Sequence, residues 1–184
     1  MNDYLYDVDE AQYSFVRVPK LLLQHEAYQR ISSEANVEMV REEMNTLASS
    51  LPEYDVVMSM RGVGTTIGPQ LIAEIGDISR FDRREALTAY AGVDPGVNES
   101  GKMKNRSNKA SKCGSARLRK TMFLIMSSLL QSKPADDPVF QFLDKKRSEG
   151  KPYLVYMTAG ANKFLRIYYG KVKECLHNHS ELTS

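Results

Sequence analysis

No stretch of this chain approaches the run of about eighteen apolar residues needed to cross a bilayer as a helix. The opening MNDYLYDVDE is acidic and lacks the basic-then-apolar order of a secretory signal. Cysteine is scarce. Cys113 and Cys175 are far apart, and neither belongs to a CxxC or Cys/His cluster, which argues for a reduced cytoplasmic protein without a zinc site. Histidine is scarce too: His25, His177 and His179 lie near the two ends of the chain, so a Ser-His-Asp arrangement has no support. The carboxylates Glu74, Asp77, Asp82, Asp94 and Glu99 do not fall into a metal-binding spacing, and no metal ligand is assigned. No internal repeat is visible.

What is present is an ordinary globular composition with an uneven charge. The 184 residues suit one domain with an appended segment, and 42% hydrophobic content supports a real core. Residues 1–60 carry four Lys/Arg against eleven Asp/Glu, net −7, while residues 61–184 carry twenty-one against twelve, net +9. A basic half suits a polyanionic partner, although lysines that only keep a domain soluble would give the same balance.

The apolar periodicity is helical and the expected class is mostly α. Residues 1–50 read as an N-terminal arm and a helical connector, with Pro19 opening one helix and NVEMVREEMNTLASSL placing Val37, Val40, Met44 and Leu47 on a single stripe. The domain proper is expected over 51–176. It begins with a short helix after Pro52, a reversal at Gly62 and Gly64 where positive φ is available, and a helix capped by Thr65 or Thr66, with Pro69 in its first turn and a stop at Gly76. Asp82 is expected to cap a helix ending near Gly92, and residues 93–111 read as an irregular segment or short β-hairpin. Leu118, Met122, Ile125, Met126 and Leu129 form the inner face of the next helix. A helix from an Asp/Pro cap to Gly150 and a last helix to residue 176 follow, with 177–184 as a frayed tail.

Two stretches carry chemistry. Between Tyr54 and Ile75 the pattern is that of a helix-hairpin-helix, in which Arg61, Gly62, Gly64 and Thr65 would bring backbone N–H groups up to a phosphate. A plain turn between two packed helices has the same glycines. From Gly101 to Lys120 there are eight cations and no acid: Lys102, Lys104, Arg106, Lys109, Lys112, Arg117, Arg119 and Lys120. Such a run contacts nucleic acid phosphates or is a solvated loop. Ser100 stands just before it, beside a glycine. A serine needs activation to act as a nucleophile, and cations can stabilise the charge on an attacked phosphate. On the chemistry alone, NESG is more often a turn.

The ordered series GVG, PQLIAEIGDISRF, LTAYAGVDPGVNESGK, SKCGSARLRKTMF and GKPYLVYMTAGANKFLRIYY resembles the C-terminal domain of the IS-one-ten/IS-one-sixteen/IS-nine-oh-two group of insertion-sequence transposases, over about residues 51–176. The resemblance implies a DNA transposase or recombinase that uses a guide, or bridge, RNA and cuts DNA through a covalent serine intermediate. The family serine falls on Ser100, with Lys102 and the SARLRK cations near the cut. It also implies an N-terminal RuvC-like domain holding Mg²⁺ on an acidic tetrad. No part of this chain resembles that domain, so the expectation is a partial or remnant transposase, with no cofactor of its own, inactive alone and able to self-associate through the connector. A non-catalytic nucleic-acid-binding module is the competing expectation. The departures are Arg61 in place of a proline, and Cys113, Ser115 and Ala116 in place of Arg, Asn and Pro.

Overall fold

The computed structural model describes residues 34–94, 99–100, 103–104 and 113–182. The fold is mostly helical, as the periodicity predicts. In chain order its elements are α1 (Glu34–Ser49), α2 (Tyr54–Met58), α3 (Ile67–Ile75), a 3₁₀ turn (Ile78–Arg80), α4 (Arg84–Ala91), the two-residue strands β1 (Glu99–Ser100) and β2 (Met103–Lys104), α5 (Ala116–Ser132), α6 (Pro138–Ser148) and α7 (Tyr153–Leu182). The helix expected after Pro19 lies outside the described residues.

α7 is the spine. It packs against α2, the 3₁₀ turn, α4, α5 and α6. Its residues Met157, Ala161, Phe164, Leu165, Tyr168 and Val172 recur at helical spacing and are all buried. The predicted inner face of α5 meets them: Leu118, Met122, Ile125, Met126 and Leu129 are each wholly buried. Sealing side chains of this size stabilises by roughly 1.5–3 kcal/mol each before conformational entropy is set against it. α1 docks on α2 and α3 through its single stripe, with Val37, Val40, Met44 and Leu47 half-buried, Ala48 buried and Met39 exposed on the far side.

The helix ends depart from the sequence reading in informative ways. Thr66 holds the cap position of α3, but its backbone is already helical (φ −85°, ψ −42°) and no side chain caps this end. The turn before it is pre-wound, Gly68 N–H donating to the Gly64 carbonyl at 2.8 Å, so the hydroxyl is not used. α4 starts one residue later than an Asp82 cap requires: Arg83 is the extended residue (φ −149°, ψ 156°) and no side chain caps the helix. Asp77 does cap, accepting from Ser79 N–H at 2.8 Å at the head of the 3₁₀ turn. Asp137 caps α6 as expected, accepting from the N–H groups of Val139 (2.9 Å) and Phe140 (2.7 Å) ahead of Pro138. The segment expected to fray past residue 176 instead continues α7 to Leu182, with His177 and Glu181 paired at 3.3 Å one turn apart.

Candidate functional site

The C-terminal end of α4 is the base on which the basic segment stands. The chain leaves α4 through Gly92 and Val93, whose N–H donates to the Thr88 carbonyl at 3.1 Å. It returns through Gly114 and Ser115, whose N–H donates to the Tyr90 carbonyl at 2.7 Å. The return is tight. A Cβ on Gly114 would collide with the Tyr90 carbonyl and stand 2.8 Å from both the Ala89 carbonyl and Gly92 N, all of them backbone. Arg119 reaches back from α5 to donate to the Ala91 carbonyl at 3.2 Å, placing a cation at the negative end of α4. Ser115 caps α5, its hydroxyl accepting from Leu118 N–H at 3.1 Å. Ser is as good a cap as Asn, so the Asn-to-Ser departure preserves the start of this helix.

Between these anchors, β1 and β2 pair antiparallel, Glu99 opposite Lys104 and Ser100 opposite Met103. Ser100 is therefore the last residue of β1, with residues 101 and 102 joining the strands. Lys102, Arg106, Lys109 and Lys112 lie outside the described residues. Lys104 is the last residue of β2. Arg117 and Lys120 are exposed on the first turns of α5, Arg119 is half-buried, and Cys113 is exposed where the resembling family has an arginine.

The turn from α2 to α3 divides the expected phosphate contacts. Gly62 adopts φ +82° and packs on α5, where a Cβ would lie 2.9 Å from Leu129 Cγ and 3.1 Å from the Ile125 carbonyl. Its glycine requirement is met by the core. Gly64 does not adopt positive φ, contrary to expectation, and stands in open space; Thr65 and Thr66 are exposed beside it. Arg61 pairs with Asp136 at 3.3 Å, both well exposed, an ion pair of little energetic weight.

Sequence reasoning missed two features. Glu74 lies under the basic face of α5, its carboxylate taking a hydrogen bond from Gln70 at 2.9 Å while the other oxygen, Oε2, is buried with no hydrogen-bond partner among the described residues. Burial pushes this carboxyl above its usual range, against the Gln70 hydrogen bond, the nearby Thr121 hydroxyl and the charges of Arg117 and Lys120. The second feature is an open groove of about 1630 Å³ between α4, α5 and α7, with Phe142 of α6 at one wall. Lys163 and Arg166 face it one turn apart on α7. Their i, i+3 spacing is visible in the sequence, but nothing there says that Arg83, Arg119 and Lys120 share their groove.

Comparison with known proteins agrees with the resemblance carried by the sequence motifs. Residues 54–141, from α2 into α6 and including Ser100, match the transposase IS116/IS110/IS902 family. The chain is 25% identical over 131 residues to the insertion element IS900 uncharacterized 42 kDa protein of Mycobacterium paratuberculosis, covering 71% of this chain and 32% of that protein. It is 29% identical over 125 residues to the mini-circle putative transposase for IS117 of Streptomyces coelicolor, 67% of this chain and 28% of that one. It is 28% identical over 120 residues to the pilin gene-inverting protein of Moraxella bovis, 65% and 36% respectively. The chain thus spans about a third of the length of these relatives. Among the described residues, no helix is long and apolar enough to cross a membrane.

Proposed function

We propose that this chain supplies the DNA-binding and strand-exchange domain of a transposase or recombinase, and that Ser100 is its nucleophile. The observation that carries the reading is the position of Ser100 within the family match, at the end of β1 and ahead of a run of cations whose two anchors are fixed on α4. In the proposed step the serine Oγ attacks a DNA phosphorus. An Oγ–P bond forms, a P–O bond to one deoxyribose breaks, and the cut strand leaves with a free hydroxyl. The serine proton passes to an acceptor, and attack by an incoming strand's hydroxyl on the same phosphorus reverses the sequence and rejoins DNA. Lys102 and Lys104 beside the serine, and Arg117, Arg119 and Lys120 on α5, stabilise the charge on the attacked phosphate. Arg106, Lys109 and Lys112 hold the flanking backbone. The protein works in the cytoplasm with a guide RNA, and copies associate through α1 and the residues before it.

A second reading, a phosphate-binding module without chemistry, is favoured by one feature: the exposed Gly64–Thr65–Thr66 turn at the side-chain-uncapped start of α3, with Arg61 at its edge. The two readings separate in an assembly that cleaves DNA. Ser100→Ala should abolish strand cleavage while DNA and RNA affinities stay within about twofold, because a hydroxyl adds little to a contact dominated by phosphate charge. Cleavage that survives in this variant removes Ser100 from the chemistry and leaves the binding module.

A further inference from the structure

The groove between α4, α5 and α7 combines three properties. Its cations, Arg83, Arg119, Lys120, Lys163 and Arg166, outnumber its acids, Glu85 and Asp94. Its walls carry two half-buried aromatic rings, Phe123 and Phe142, and its exposed end carries Leu154 and Val155, 64% and 51% exposed. Its lining includes the small residues Ala86, Ala89 and Ala159, which leave it room. Asp94 and Ala116 form part of the rim, so both ends of the segment carrying Ser100 leave from this groove.

We infer that the groove binds a single strand of nucleic acid and delivers it to the Ser100 segment. This rests on the nucleic-acid reading above and narrows it to the form of the substrate. A duplex keeps its bases stacked inside and offers this face only phosphates, which the rim cations could meet without the aromatic walls. A single strand offers phosphates and base faces together, the pairing that cationic grooves with aromatic walls take. The Lys163 ammonium already lies 5.0 Å from the centre of the Phe142 ring, so cation and ring present one joint surface. Among the described residues Arg166 pairs with Glu85, an exposed 3.4 Å contact that a phosphate can displace. The charge excess argues against a neutral apolar helix as occupant.

The test uses the whole chain in fluorescence anisotropy, with a labelled oligothymidylate of about 16 nucleotides and a matched duplex as probes. Two variants separate charge from space: the double change Lys163→Glu with Arg166→Glu, and Ala159→Trp, which fills the groove without altering charge. Ala159→Trp should weaken single-strand binding by about tenfold or more and leave duplex binding within about twofold, and the double charge change should cost the single strand about tenfold more than it costs the duplex. Loss of two phosphate contacts should also lower the slope of log K against log salt by about 1.4 on the single strand. Thermal melting of both variants checks that they fold, and the surface double change keeps the test alive if the tryptophan does not. Unchanged single-strand affinity in the groove variants, with binding abolished by Lys102→Glu and Lys104→Glu together, would overturn the groove while sparing the nucleic-acid reading. Equal losses on strand and duplex would overturn the single-strand assignment. No binding by the parent chain to either probe would overturn both readings. A dimer in the parent that Ala159→Trp converts to monomer, with nucleic-acid affinity untouched, would assign the groove to a second copy instead.

Discussion

Glu53 stands at the start of α2 with only 7% of its surface exposed, and it carries an electrostatic cost that can be measured. Burial pushes its carboxyl above the ordinary 4.5, its own backbone hydrogen bond offsets part of the rise, and the charge of Asp77 adds to it. The buried Tyr168 hydroxyl is likewise pushed up by burial and by the Glu53 charge. For a carboxyl whose folded value exceeds its unfolded one, the stabilising contribution is complete below 4.5 and is lost as pH rises through the folded value. Glu53→Gln should therefore melt above the parent at pH 7, and the gap should close as the pH falls below 4.5. Differential scanning calorimetry at both pH values reads this directly; a gap that is constant with pH, or reversed at neutrality, contradicts it. At the same scale the two glycines of the α2–α3 turn part company. Gly62 is committed to α5 by its positive φ and its contacts with Leu129 and Ile125, whereas Gly64 is open. An alanine at position 64 should be tolerated by the fold and one at position 62 should not.

At the scale of the element, the end of α4 decides how the basic segment is held. Gly114→Ala drives a methyl into the Tyr90 and Ala89 carbonyls, which are backbone and cannot swing away. A loss of about 1–3 kcal/mol in urea unfolding is expected, as for other overpacked sites, together with weaker nucleic-acid binding because the segment loses its anchor. Ser115→Ala should cost about 1 kcal/mol through the lost cap on α5, and Ser115→Asn should restore it. The apolar stripes of α1 and α5 were legible residue by residue because 3.6-residue periodicity is local information. The caps were less so. Asp137 before Pro138 announces itself, but Asp82 and Thr66 failed because a cap depends on which residue turns extended, and packing decides that. Arg83 takes that conformation at α4, while the wound turn at Gly64–Gly68 leaves Thr66 helical. The continuation of α7 past residue 176 follows from the same limit: HNHSELTS offers no apolar stripe to read, and it is the extension of an already nucleated helix that carries it to Leu182.

At the scale of the whole molecule, the charge asymmetry between the two halves becomes a geometry. Of the cations of 101–120, Arg119 and Lys120 share a groove with Arg83, Lys163 and Arg166, up to 83 positions apart in the sequence. That convergence was invisible in the sequence because it depends on how α4 and α7 pack, whereas the motif series around Ser100 was legible because it is contiguous. Glu74 shows the same limit, since only the fold puts its carboxylate beneath Arg117 and Lys120. The central claim is that Ser100 becomes covalently joined to DNA. The most direct measurement is peptide mass spectrometry of a denatured cleavage reaction, run with an assembly that cuts labelled DNA. A phosphodiester-linked nucleotide is expected on the peptide containing Ser100, absent in Ser100→Ala along with cleavage. An adduct on another residue, or cleavage at the parent rate in Ser100→Ala, would contradict it.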